Sequence, residues 1–228
     1  VVQKAMLETM ERLANGELGN ASALHSVGQS SREAIERART QVAKLINASP
    51  EEIIFTSGGS EANNTVAEIF RGQNVAFSAI EHPSLRDSLR ARASKATELS
   101  VDRYGFLEPD AEIPADTDLI SIMLANNELG TLEPVSDLAK RCKNYNTQVG
   151  AEDAQSQQLK RTYFHSDATQ ALGKVEIDVE SLGVDYLTIS AHKIGGPVGV
   201  GALYARKGAP IRSLILGGHQ ERQHRAGT

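Results

Sequence analysis

The sequence predicts an α/β domain. Short apolar runs suit strands, helical periodicities separate them, and glycine-rich turns mark the junctions. The apolar runs do not alternate strictly with polar residues, as expected for strands covered on both faces. That pattern implies a mixed, mostly parallel sheet with helices on both sides. At 228 residues, 40% of them hydrophobic, the chain can bury one sizeable core.

A first helix is predicted over 1–14, where Val2, Met6, Met10 and Leu13 share one face. A second is predicted over 31–46: Ser30 and Glu33 read as a capping box, and Ile35, Ala38, Val42 and Leu45 recur at helical spacing. Ile53-Ile54-Phe55-Thr56 then reads as a strand ended by Gly58-Gly59, with a helix over 60–70. Further strand-like runs fall at 74–80, 97–101, 118–125, 163–168, 185–190 and 200–205, with helices at 83–92 and 134–144. Segment 146–161 is polar and weakly patterned, and reads as an inserted surface loop.

Composition narrows the function classes. Charged residues are 23%, the net charge is −5 and aromatics are 4%, with no basic run interleaved with aromatic residues. A nucleic-acid binder would show a basic face and stacking platforms. No run approaches the roughly 20 apolar residues that span a bilayer, and no charged-then-apolar leader is visible. The single cysteine, Cys142, cannot form an intrachain disulfide, and the expectation is a reducing, cytoplasmic setting. The chain opens at Val1 inside a helical pattern and closes at Thr228 after the run Gly217–Arg222, so a piece of a longer protein is expected.

Five segments carry candidate chemistry. Thr56-Ser57-Gly58-Gly59-Ser60-Glu61 lies at a strand-to-helix turn, where free N–H groups bind an anion; a plain tight turn is the equal alternative. Ser190-Ala191-His192-Lys193-Ile194-Gly195-Gly196-Pro197 follows a buried strand, and ligands collect at the carboxyl ends of parallel strands. A lysine there can have its pKa lowered and form an imine, whereas most lysines are solvated surface charges. In His165-Ser166-Asp167-Ala168-Thr169-Gln170, Asp167 either caps the next turn or pairs with a cationic nitrogen. Glu81-His82-Pro83 and Asn126-Asn127-Glu128-Leu129-Gly130 are, on their own, more often structural than catalytic. A serine triad lacks the Gly-x-Ser-x-Gly elbow. A metal site from His165, Asp167 and His192 lacks a recognised ligand spacing.

Taken together and in order, these segments resemble the cysteine desulfurases of the class V aminotransferase superfamily. The resemblance includes Gly19-Asn20-Ala21-Ser22, Phe55 to Asn64, Glu81-His82, Asn126 to Gly130 and Asp167 to Gln170. It continues through Ser190 to Lys193, Gly196 to Tyr204 and Arg225-Ala226-Gly227-Thr228, nearly the whole chain. It implies the large domain of the fold-type-I pyridoxal phosphate enzymes over residues 1–228, with an N-terminal segment and a C-terminal small domain outside this chain. Lys193 would hold pyridoxal 5'-phosphate as a Schiff base and move the substrate α-proton. Asp167 would pair with the pyridine nitrogen, Gln170 with the ring oxygen, and His82 would stack on the ring and assist proton transfer. Gly59, Ser60, Ser190 and His192 would hold the phosphate, Asn127 would touch cofactor and substrate, and Thr228 would reach the partner subunit's phosphate in a homodimer.

The implied reaction converts L-cysteine to L-alanine and leaves sulfur on an enzyme cysteine as a persulfide, for an iron–sulfur scaffold or another acceptor. Cys142 is not that thiol, because Val135, Leu138, Ala139 and Cys142 share a helical core face. The same segments leave open another class V enzyme, such as a selenocysteine lyase or an aminotransferase. A catalytically silent partner of the same fold is the alternative from a different class.

Overall fold

The computed structural model describes residues 1–109, 111–142 and 161–227. Seven strands form one sheet: β1 (Ile53–Thr56), β2 (Asn74–Ser78), β3 (Lys95–Leu99), β4 (Leu119–Ser121), β5 (Tyr163–Asp167), β6 (Tyr186–Ser190) and β7 (Gly201–Ala205). Their order is β1-β7-β6-β5-β4-β2-β3. All neighbouring pairs are parallel except those of β7, which runs antiparallel to both β1 and β6. β1 therefore points the same way as β6, and the ends of β1, β2, β4, β5 and β6 all open on one edge.

Helices cover both faces. α1 (Val2–Ala14) and α2 (Ser26–Leu45) come first, then α3 (Gly59–Ile69), α4 (Pro83–Arg92), α5 over 135–142 and α6 (Val179–Leu182). Residues next to each other on a strand feed opposite cores: Val75 and Phe77 pack in one cluster with α3 and α4, while Ala76 packs in the other. The same alternation holds for Leu203 and Tyr204 on β7. This two-sided burial explains why the strands read as continuous apolar runs. Cys142 is in the core beside Val135 and Ala139, as its helical spacing implied.

Two local readings are corrected. α2 starts at Ser26, not near 31, because the His25 side chain accepts the Gly28 N–H at 3.2 Å and starts the helix early. Ser30 and Glu33 are therefore inside the helix and form no capping box; that device is found at Ser49 and Glu52, before β1. The apolar face of α1 is real but unburied, since none of its residues is buried. The 146–161 loop, apart from Arg161, and the last residues of the 134–144 helix lie outside the described residues. Among the described residues no helix is long and apolar enough to cross a membrane.

Candidate active site

The edge where the strand ends meet holds a cavity of about 240 Å³. Each wall comes from the turn after a strand. The end of β1 gives Gly59 and Ser60, and the end of β2 gives His82. The turn after β4 gives Asn127, the end of β5 gives Asp167 and Gln170, and the end of β6 gives Ser190, His192 and Lys193. Every predicted site residue except Thr228 lines this one space, and Thr228 lies outside the described residues. Asn63, Ser84, Met123 and Thr169 line it too and were given no role from sequence.

The β1–α3 turn is built for close approach. Gly58, at φ 151°, precedes α3, and no side chain caps the helix. The first-turn N–H groups are thus left for an anion, which the helix dipole favours. A Cβ on Gly59 would stand 3.0 Å from Thr169 Oγ1 and 3.6 Å from Ser190 Cβ. A Cβ on Gly201, at the start of β7, would stand 2.7 Å from the Gly58 backbone. Two glycines therefore let the turn press against β7 and the end of β6. Arg225 braces the other side of α3, with Nε donating to Glu61 Oε1 at 2.8 Å and Nη2 to Oε2 at 3.1 Å. Burial opposes ionisation of Glu61, but the bonds from Arg225 and Ser57 outweigh it and hold the carboxyl below its usual range.

Asp167 occupies the cavity floor. Its Oδ1 accepts the Thr169 N–H at 2.9 Å, the local cap that its position after a strand suggested. Its Oδ2 accepts from Asn63 Nδ2 at 2.8 Å, which no local pattern announces. Below it a polar row crosses three strands: Ser121 Oγ stands 2.7 Å from His165 Nδ1, and His165 Nε2 stands 3.1 Å from Thr188 Oγ1. Complete burial pushes the His165 imidazole down to about 4, with the Asp167 charge opposing that shift, so the ring is neutral at neutral pH. His165 is a structural support and does not reach the cavity lining.

The Asn pair divides its work. Asn126 is buried, accepts the N–H groups of Glu128 and Leu129 at 2.8 Å each, and donates to the Ile80 carbonyl at 3.1 Å. It folds the turn, and Asn127 is what the turn presents to the cavity. Ser190 Oγ stands 2.9 Å from His192 Nδ1 and so orients that ring beside Lys193.

Two buried oxygens lining the cavity, Asn63 Oδ1 and Thr169 Oγ1, have no hydrogen-bond partner. Buried polar atoms left unpaired are costly, so a polar ligand belongs here. An anion-binding helix start, a carboxylate on the floor and a primary amine at one rim suit a ligand with three matching parts. These are a phosphate, a protonated ring nitrogen and a carbonyl carbon, which is the chemistry of pyridoxal phosphate. The residues present fit that group.

Comparisons with known proteins agree with the geometry. The profile of the family described as Aminotransferase class-V matches residues 1–226. The cysteine desulfurase IscS of Dictyoglomus turgidum is 43% identical over 239 residues, an alignment covering 100% of this chain and 57% of that protein. Among solved structures, a NifS-like protein matches with a TM-score of 0.85 at 38% identity, covering 97% of this chain and 61% of the other. A structure described as SspA in complex with cysteine matches with a TM-score of 0.80 at 33% identity, covering 99% and 65%. The chain thus spans little more than half the length of the IscS relative.

Proposed function

The chain belongs to the class V aminotransferase family, and from that premise we propose that it is the cofactor-binding part of a pyridoxal phosphate-dependent cysteine desulfurase. The observation that carries the reading is the meeting of Lys193, Asp167, Gln170, His82 and the α3 N-terminus around one cavity at the strand ends. The relatives named cysteine desulfurase and the structure containing cysteine support L-cysteine as substrate.

Bound pyridoxal phosphate supplies an electron sink for the pair left on the substrate Cα when its proton is removed. Gly59 and Ser60, with the first N–H groups of α3, would hold the phosphate together with Ser190 and His192. Asp167 would keep the ring nitrogen protonated, the form in which the ring accepts electrons. Gln170 would donate to the ring oxygen, Asn127 would orient the substrate, and His82 would contact the ring. Lys193 would anchor the cofactor through Nζ and would carry the substrate α-proton.

The net reaction takes L-cysteine to L-alanine and moves the sulfur to an enzyme thiolate as a persulfide. Cys142, the one cysteine of the chain, is buried on α5 and does not line the cavity, so the accepting thiol comes from outside these residues. The complete enzyme is proposed to work in the cytoplasm as a homodimer with Thr228 reaching the partner's phosphate. It would hand its sulfur to an iron–sulfur scaffold or a similar acceptor.

The test is the visible spectrum of the purified full-length protein before and after L-cysteine, with alanine and sulfide assayed. A cofactor band that responds to cysteine, with release of alanine, is expected. A band without alanine would move the reading to another class V reaction. No band even after adding pyridoxal phosphate would overturn it.

A further inference from the structure

Asp167 and His82 lie on different walls of the cavity, and the side chains of Asn63 and Ser84 connect them. Asn63 Nδ2 donates to Asp167 Oδ2 at 2.8 Å and to Ser84 Oγ at 2.9 Å. Ser84 Oγ in turn stands 2.8 Å from His82 Nδ1, and the Ser84 backbone N–H donates to the same nitrogen at 3.1 Å.

The direction of every bond in this chain is determined. A carboxylate oxygen only accepts, so the amide of Asn63 must turn its nitrogen to Asp167. That nitrogen has two hydrogens, and the second goes to Ser84 Oγ. The single hydrogen of the Ser84 hydroxyl is then free for His82 Nδ1. The Ser84 amide N–H is also a donor and has no other role to exchange. Nδ1 therefore accepts twice, and a neutral His82 ring carries its hydrogen on Nε2.

We propose that Asn63 and Ser84 are positioning residues that link the Asp167 carboxylate to His82 and fix His82 as the Nε2–H tautomer. Toward any group in the cavity His82 is then a hydrogen-bond donor, and taking a proton at Nδ1 requires breaking this chain. The consequence for catalysis rests on the cofactor reading above; the tautomer itself does not. Asn63 is buried, so the Asn63–Asp167 end is shielded from competing water, while the Ser84–His82 end opens on the cavity.

Long-range ¹H–¹⁵N NMR of the uniformly labelled chain, at a pH well above the ordinary imidazole range so that only neutral rings are read, tests the proposal, with the His82 ring assigned by its loss in His82→Gln. The expected result is an unprotonated, hydrogen-bonded Nδ1 and a protonated Nε2. Ser84→Ala should move the Nδ1 resonance toward that of an unbonded nitrogen, and Ser84→Thr, which keeps the hydroxyl, should restore it. Asn63→Leu should shift it in the same direction as Ser84→Ala. A protonated Nδ1 in the wild type, or unchanged ring shifts in Ser84→Ala, would overturn the proposal. If buried Asn63→Leu does not fold, the Ser84 pair decides alone. Because no cofactor or substrate is added, the outcome is independent of the visible spectrum. The expected tautomer without a cofactor band would sink the proposed function and leave the tautomer standing.

Discussion

Glu81 Oε1 accepts the Met123 backbone N–H at 2.6 Å and the Ser78 hydroxyl at 2.8 Å, so one buried carboxyl ties the turn after β2 to the turn after β4. These two turns carry His82 and Asn127 into the cavity. Burial pushes this carboxyl up to about 8; the Ser78 bond opposes that, and the nearby Asp167 charge adds to it. At neutral pH Glu81 is therefore largely protonated and acts as a polar clamp.

The first prediction concerns stability against pH. Between 4.5 and about 8 the folded chain holds a proton on Glu81 that the unfolded chain releases. Stability contributed by Glu81 is thus present at low pH and lost as pH rises through that window, by about 5 kcal/mol. Glu81→Gln keeps the clamp's shape without a charge to bury. Urea unfolding of both proteins at pH 5 and pH 9 should show a flatter pH dependence in the variant. Parallel curves would reject the assignment.

Lys193 is exposed on the turn after β6, so Lys193→Ala should change stability by no more than about 0.5 kcal/mol. After incubation with pyridoxal phosphate and desalting, the variant should lack the visible band. A band of wild-type position and intensity would remove Lys193 as the anchor.

Asp167→Ala acts on both chemistry and fold. Loss of the carboxylate should lower turnover on the order of 10²-fold or more, typical of removing a charge that stabilises a reacting group. It also strands the buried Asn63 amide, at a cost of about 1–3 kcal/mol. Alanine production by the full-length enzyme and thermal unfolding check the two halves, and wild-type turnover would exclude Asp167 from the mechanism.

Gly201→Ala tests the close approach of the β1–α3 turn to β7. Its Cβ would lie 2.7 Å from the Gly58 backbone and 2.8 Å from the Ile189 carbonyl oxygen, so the turn or the end of β6 must shift. The expected outcome is weaker pyridoxal phosphate binding, read by fluorescence titration, with secondary structure retained. Unchanged affinity would show that the turn's position does not matter for the anion.

Glu221 stitches the segment after β7 to the start of the sheet. Its carboxylate accepts from both terminal nitrogens of the Arg39 guanidinium, at 2.6 and 2.9 Å, and from the Phe55 N–H at 2.8 Å. Arg39 is only 3% exposed and lies 4.8 Å from the Phe55 ring centroid. Glu221→Ala leaves that buried cation short of its main partner and should cost about 3 kcal/mol, the lower end for a broken buried pair because Glu36 remains. A denaturant midpoint equal to the wild type's would show that the pair contributes nothing net.

Much of the architecture was legible locally. Most strands and helices overlap the segments that apolar periodicity marked, because a strand covered on both faces and a helix with one buried face leave different signatures in the chain itself. However, β3 lies at Lys95–Leu99 rather than 97–101, and α6 was not expected. Glycines at 58 and 59, and the polar residues at or just after the ends of β2, β4, β5 and β6, marked the cavity, since ligands collect at the carboxyl ends of parallel strands. The second helix start was misread because a histidine cap at His25 replaces the expected serine.

By itself the sequence determined the elements, the strand-end residues and the family they resemble, all properties of short segments and their order. Only the tertiary structure decided the strand order, the reversed direction of β7, and the company that Asp167 keeps. Asn63 and Ser84 look like ordinary helix residues in the sequence, and Glu81 like any surface acid. Their roles arise from contacts across 104 residues in the Asn63–Asp167 bond and 42 in the Glu81–Met123 bond. Such pairings follow from how the layers stack, and no local pattern encodes them, because burial and hydrogen-bond partners depend on which distant segments the fold brings alongside.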